Sequence, residues 1–420
     1  MISVDIQLEI TRLSNSSSPP PTNAEPVLSW NNLNYDIKVK GGTRRVLHNA
    51  GGSVYPGEIV AIMGALGAGK TTLLNILSGR IQGGKLEGSI QFQGAPRNPH
   101  NFKCMLGFVE QDDLMHPTLT VEETLLVSAR LRLPDAKYLL QDKKDRVSAI
   151  LRQLRLFQVK DTPIGGGGKR GVSGSECKRV SISMELVMEP SILMLDEPTS
   201  GLDSSSAEMV VSLTKEISRQ HNICILMTIH QPSSEIVAQF DKLILLAQGK
   251  LVYMGPTAQA VQYFVLKSET NLFVNVMFKE PKRRKERQRR ELPGHISTKS
   301  SSNCSHVNSG MMEEQANLIL NEPVSMNSWF GEFLVLLNRE WNIIMRNYSF
   351  IYGMFAQAVV IMLFYGFVFF QLDNDQTSVQ NCIGVLALIV ISNSFPIALP
   401  TLALIINGCC RLFCLYSLFP

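Results

Sequence analysis

Ile59-Val60-Ala61-Ile62-Met63-Gly64-Ala65-Leu66-Gly67-Ala68-Gly69-Lys70-Thr71-Thr72 decides the reading of this 420-residue chain. Five apolar residues running into a glycine predict a short, fully buried strand. Gly64 to Thr71 then fit the phosphate-loop pattern GxxxxGK[ST]. Gly64, Gly67 and Gly69 let the backbone turn its N–H groups inward around a triphosphate. Lys70 is placed to meet the β- and γ-phosphates, the Thr71 hydroxyl suits Mg2+, and Thr72 continues the phosphate-binding turn. Leu73-Leu74-Asn75-Ile76-Leu77 then predicts a helix whose positive end faces the phosphates. Such a pattern also arises by chance; the strand before it and the helix after it supply the context it needs.

Two further apolar strands lie downstream. Ile192-Leu193-Met194-Leu195 ends in Asp196 and Glu197. Asp196 suits Mg2+, held directly or through water, and Glu197 suits the polarisation of an attacking water. Ile223-Cys224-Ile225-Leu226-Met227 leads to Thr228-Ile229-His230. A histidine at a strand end near phosphates can contact the γ-phosphate, although a lone one is more often structural. Gln111, in Val109-Glu110-Gln111-Asp112-Asp113, can face Mg2+ or the water, although a lone glutamine is usually a surface residue. Val147, Ile150, Leu151 and Leu154 have helical spacing, and 27–30 and 33–37 alternate as strands do. Strands alternating with helices predict a mostly parallel sheet covered on both faces.

Composition narrows the class. The net charge of +4 gives no sign of a nucleic-acid partner. The eight cysteines show no metal-ligand spacing. The opening residues lack a basic start followed by an apolar core, so no secretory signal is read. Residues 1–26 are polar, rich in serine and proline, and expected to be disordered. An α/β domain is expected over 27–278. A flexible linker is expected at 279–325, with the basic run Lys282-Arg283-Arg284-Lys285. Over 326–349, Phe330, Phe333, Leu334, Leu337, Trp341 and Ile344 share one helical face, the pattern of an interfacial helix and equally of a core-facing one. Residues 350–371 and 382–406 are apolar runs of spanning length. The loop between them carries Asp373 and Asp375, whereas Arg339 and Arg346 precede the first run. That asymmetry predicts a multi-pass membrane protein with the α/β domain in the cytosol. Residues 407–420 form a tail of different character.

The deciding resemblance rests on Val172-Ser173-Gly174-Ser175-Glu176, which resembles the signature motif of the ABC ATPases. Ser200-Gly201-Leu202-Asp203 is similar to that family's D-loop, His230 to its switch histidine and Gln111 to its Q-loop glutamine. The order of cassette before membrane segments resembles subfamily G, the white and breast-cancer-resistance-protein group of half-transporters. The implied fold is an α/β P-loop ABC ATPase cassette followed by α-helical transmembrane segments. The resemblance implies that ATP and Mg2+ bind between two cassettes, in a homodimer or a heterodimer with another half-transporter. Ser173, Gly174 and Ser175 of one cassette would face the phosphate loop of the other. It also implies membrane lipid around the chain and export of small lipid-like or amphipathic substrates. Three residues depart from the pattern: Ser175 where the family has a second glycine, Leu66 where a small polar residue is common, and Cys177 where a basic residue is usual. Two spans against the family's six raise an alternative, a truncated, non-transporting form that pairs with full-length transporters and regulates them.

Overall fold

A computed structural model describes residues 25–39, 42–81, 83–113, 115–165, 171–266, 328–368 and 384. In chain order the elements are β1 (Leu28–Val39), β2 (Gly42–Val54), β3 (Ile59–Gly64), α1 (Lys70–Ser78), β4 (Lys85–Phe92), β5 (Ala95–Pro96), α2 (Pro99–Met105) and β6 (Leu106–Val109). Helices α3 (Val121–Arg132), α4 (Leu140–Gln153) and α5 (Gly174–Leu186) come next, then β7 (Ile192–Leu195), α6 (Ser204–His221), β8 (Cys224–Ile229), α7 (Ser234–Val237), β9 (Lys242–Ala247), β10 (Lys250–Pro256) and α8 (Thr257–Leu266). Helices α9 (Trp329–Met345) and α10 (Tyr348–Val368) come last. The chain divides into two compact units, 1–111 with 190–326 and 112–189 with 327–420.

The first unit is built on one ten-stranded sheet in the order β5-β4-β1-β2-β10-β9-β3-β8-β7-β6. Strands β9, β3, β8, β7 and β6 are mutually parallel. Every residue of β3, β6, β7 and β8 is buried, which is why β3, β7 and most of β8 are legible as apolar runs. In the other half β1 pairs antiparallel with both β2 and β4, β4 with β5, and β10 with β9, the exception being the short parallel contact of β10 with β2. This corrects the expectation of a mostly parallel sheet. Antiparallel strands with one solvated face alternate in burial, as β1 does on either side of its bulge, and alternation names a strand without naming its neighbour. The segments 28–30 and 33–37 are a single strand, bulged where Asn32 takes a φ of 54°.

The second unit packs α3, α4 and α5. Val147, Ile150 and Leu151 of α4 are buried as their spacing predicts, and Leu154 caps that helix. The Arg179 guanidinium, on α5, donates to Leu154 O at 2.9 Å and so satisfies a carbonyl left over at the end of α4. Helix α9 buries only Val335 and Arg339, leaving Trp329, Phe330, Phe333, Leu337 and Trp341 exposed. Just past it, Arg346 clasps Glu123 with two bonds of 2.6 Å and also donates to Thr118 O at 3.1 Å.

Helix α10 occupies most of the first apolar run. Among the described residues no helix is long and apolar enough to cross a membrane. The linker 279–325, the tail 407–420 and the second run 382–406, except 384, lie outside the described residues.

Candidate nucleotide site

Sheet register gathers the site. Met63 of β3 pairs with Ile229 of β8, Leu195 of β7 with Met227 of β8, and Val109 of β6 with Leu195. Gly64, His230, Asp196, Glu197 and Gln111 all fall within two residues of these last paired positions. They therefore crowd the carboxyl ends of four adjacent parallel strands, where open α/β sheets bind ligands.

The phosphate loop is shaped by close packing. A Cβ at Gly64 would collide with Leu246 O on β9, so only glycine fits. Gly69 adopts a φ of 100° and caps α1 without a side-chain hydrogen bond. The first-turn N–H groups of α1 are thus left for a ligand. By contrast Thr120, Ser173 and Asp203 cap α3, α5 and α6 with their own oxygens. Lys70 is buried and donates from Nζ to Gly64 O at 3.1 Å and Ala65 O at 3.5 Å, folding its charge over the loop. Burial pushes its pKa down, and the carboxylates of Glu197 and Asp196 oppose that shift.

Four hydrogen bonds tie the acids to one another's neighbours and to the loop. The Thr71 hydroxyl donates to Asp196 Oδ1 at 3.1 Å, and the Thr228 hydroxyl donates to the same oxygen at 2.6 Å. Thr228 Oγ1 in turn accepts the Glu197 N–H at 2.8 Å. Gln111 Nε2 donates to Glu197 Oε2 at 3.2 Å. Glu197 itself has a φ of 45°, a left-handed conformation that costs an ordinary residue about 1–2 kcal/mol. Such strain persists only where neighbours hold it, and it concentrates at functional sites.

A cavity of about 510 Å3 runs over the loop, lined by Lys70, Thr71, Thr72 and Glu197 and walled by Tyr35, Ile37, Arg44 and Val46 of β1 and β2. The β1–β2 wall is not legible in the sequence as part of a site. Its only trace there is alternation, which places Tyr35 with Ile37, and Arg44 with Val46, on one face. His230 lines a second cavity, about 330 Å3, together with Leu66, Glu197 and Thr199.

Thr71 and Asp196 offer two hard oxygen donors a hydrogen-bond length apart, a fit for Mg2+ completed by phosphate oxygens and water. Among the described residues no group of three or more His, Cys, Asp or Glu could hold a metal by itself. The signature residues belong to the other unit. Ser173 and Gly174 are exposed at the start of α5. The Ser173 hydroxyl donates to Glu176 Oε2 at 2.8 Å. Ser175 is the second residue of a regular helix, with no left-handed backbone, so its position makes no conformational demand for glycine.

Residues 47–200 match the ABC transporter family model and 331–407 the ABC-2 type transporter model. The rat broad substrate specificity ATP-binding cassette transporter ABCG2 is 34% identical over 408 residues, covering 88% of this chain and 62% of that protein. ABC transporter G family member 22 of Dictyostelium discoideum is 36% identical over 403 residues, 90% of this chain and 65% of its own. The protein of that name from Arabidopsis thaliana is 44% identical over 253 residues, 58% of this chain and 33% of its own. The chain spans less than two thirds of the length of these relatives. A cassette followed by an ABC-2 type segment, with subfamily G relatives aligned along most of its length, makes this chain a member of the ABC transporters of subfamily G.

Proposed function

We propose that the chain binds and hydrolyses ATP with Mg2+ as a subunit of a membrane transporter, working as a dimer and exporting lipid-like or amphipathic substrates. The observation that carries the ATPase reading is the bonded set Thr71–Asp196–Thr228–Glu197–Gln111 beside an uncapped phosphate helix. Lys70 and the N–H groups of α1 hold the triphosphate. Thr71 and Asp196 hold Mg2+, which when bound neutralises charge on the phosphate oxygens. Glu197, steadied by Gln111, orients a water in line with the γ-phosphorus and accepts its proton. The new O–P bond forms as the bond to the β,γ-bridging oxygen breaks, and ADP leaves with the electron pair. His230, on the cavity wall it shares with Glu197, is suited to the γ-phosphate.

Dimerisation draws support from the exposure of Ser173 and Gly174 and from Leu66, a phosphate-loop residue that is 62% exposed. Exposure leaves these positions open to a second cassette. Insertion in a membrane draws support from the ABC-2 match and from the exposed aromatic face of α9. The test is ATP hydrolysis by the detergent-purified chain returned to lipid, beside Glu197→Gln. Hydrolysis that the substitution abolishes is expected. Equal rates in the two proteins would reject the ATPase reading.

A further inference from the structure

Thr228 lies inside β8, two residues before His230, and is 0% exposed. Its neighbours along the strand, Leu226, Met227 and Ile229, are apolar. A hydroxyl in such surroundings is costly unless bonded, and valine would fill the same space without that cost. Here the hydroxyl is fully used. Its hydrogen goes to Asp196 Oδ1 at 2.6 Å, and its oxygen accepts the Glu197 N–H at 2.8 Å. One atom therefore touches both acids at the end of the neighbouring strand.

Each contact acts on a different degree of freedom. Asp196 Oδ1 also receives the Thr71 hydroxyl at 3.1 Å, so the two threonines together fix the rotation of that carboxylate. Glu197 is strained, with its φ of 45°, and its peptide is held on two sides. Thr228 takes the N–H, and the Ser200 N–H donates to the Glu197 carbonyl at 3.0 Å. Without the threonine oxygen, the left-handed backbone at Glu197 is held from one side only.

We propose that Thr228 is the positioning residue of the acid pair. It sets the Asp196 carboxylate for Mg2+ and the Glu197 backbone for the attacking water, touching neither nucleotide nor metal itself. The inference rests on the proposed ATPase activity and adds a residue to it.

The experiment compares the full chain, Thr228→Val and Thr228→Ser in lipid by three measurements: ATP hydrolysis, the Mg2+ dependence of fluorescent ATP-analogue binding, and melting temperature. Outer-shell partners of metal ligands typically govern roughly 10- to 100-fold in metal affinity or activity. The valine variant is expected to lose kcat on that scale and to need about tenfold more Mg2+ for half-saturation, at an unchanged melting temperature. The serine variant is expected to restore both. A valine variant with wild-type hydrolysis and Mg2+ dependence overturns the proposal. So does loss of binding that parallels a fall in melting temperature in both variants, the mark of a packing role. Should the wild type hydrolyse no faster than Glu197→Gln, the ATPase reading fails, and the Mg2+ titration still decides for or against Thr228.

Discussion

Gln111 and Glu197 stand at the same height above two neighbouring parallel strands. Each lies two residues beyond the pair Val109–Leu195, and Gln111 Nε2 donates to Glu197 Oε2 at 3.2 Å. The amide thus orients the carboxylate that is proposed to polarise the attacking water. Gln111→Ala removes the donor while leaving the phosphate loop and the Mg2+ donors in place. Hydrolysis is expected to fall roughly 10- to 100-fold, the scale on which a misplaced catalytic group is felt. Binding of an ATP analogue is expected to hold within about threefold, because the Gln111 amide is turned to Glu197 and not to the phosphate loop. Steady-state kinetics beside equilibrium binding separate the two effects.

Gly64 and Gly67 make a matched pair for stability. At Gly64 an added Cβ collides with Leu246 O, a backbone atom on β9 that cannot swing aside. At Gly67 nothing lies within 4 Å, and only the φ of 75° is unfavourable. Gly64→Ala is therefore expected to cost about 1–3 kcal/mol through overpacking, and Gly67→Ala about 1 kcal/mol through its left-handed backbone. Denaturation of the two variants should rank them in that order.

In the parallel half of the sheet β3, β7 and most of β8 were open to reading because they are apolar runs that lead into a chemical signal: Gly64, Asp196 with Glu197, and His230; β6 and β9, which carry no such signal, were not. Fully buried strands have no polar face to dilute the pattern. Thr228 gives no such signal because a threonine in a strand is ordinary by propensity, and only the register of β7 against β8 gives its hydroxyl two acids to serve. The wall of Ile37 and Arg44 was hidden for a similar reason. Those two residues are paired across β1 and β2, a relationship that alternation alone does not specify. Arg346 and Glu123 lie 223 positions apart, and no local pattern joins them.

That clasp carries a dependence on pH. The Arg346 guanidinium holds the Glu123 carboxyl below the usual carboxylate range, helped by bonds from Thr120 and opposed by partial burial. A carboxyl whose pKa is lower in the folded state contributes stability above its unfolded pKa, about 4.3. The contribution is lost as pH falls through the folded value. Glu123→Gln keeps the capping-box pattern at the start of α3, since glutamine also serves at that position, and removes the charge. The variant is expected to be less stable than the wild type near pH 7, with the difference shrinking below about pH 4. A gap in melting temperature that stays constant across that range would contradict the assignment.

Cys177, one of the three residues that depart from the family's pattern, gives a chemical test of the second unit. Its thiol is pushed up to about 11, first by burial and then by the Asp113 carboxylate. Asp113 is engaged by Lys178 Nζ at 2.9 Å and by the Ser181 hydroxyl at 2.7 Å, so the charge beside the thiol is fixed in place. Alkylating reagents attack the thiolate, whose fraction falls tenfold for each unit by which the pKa rises above the working pH. At pH 8 the Cys177 peptide is expected to label roughly 100-fold more slowly than an unperturbed cysteine. Asp113→Asn should speed labelling only in part, because burial is the larger cause and survives the substitution. Peptide mapping of the alkylated, folded chain reads both rates, and ordinary labelling of Cys177 in the wild type would show that burial does not hold its thiol up.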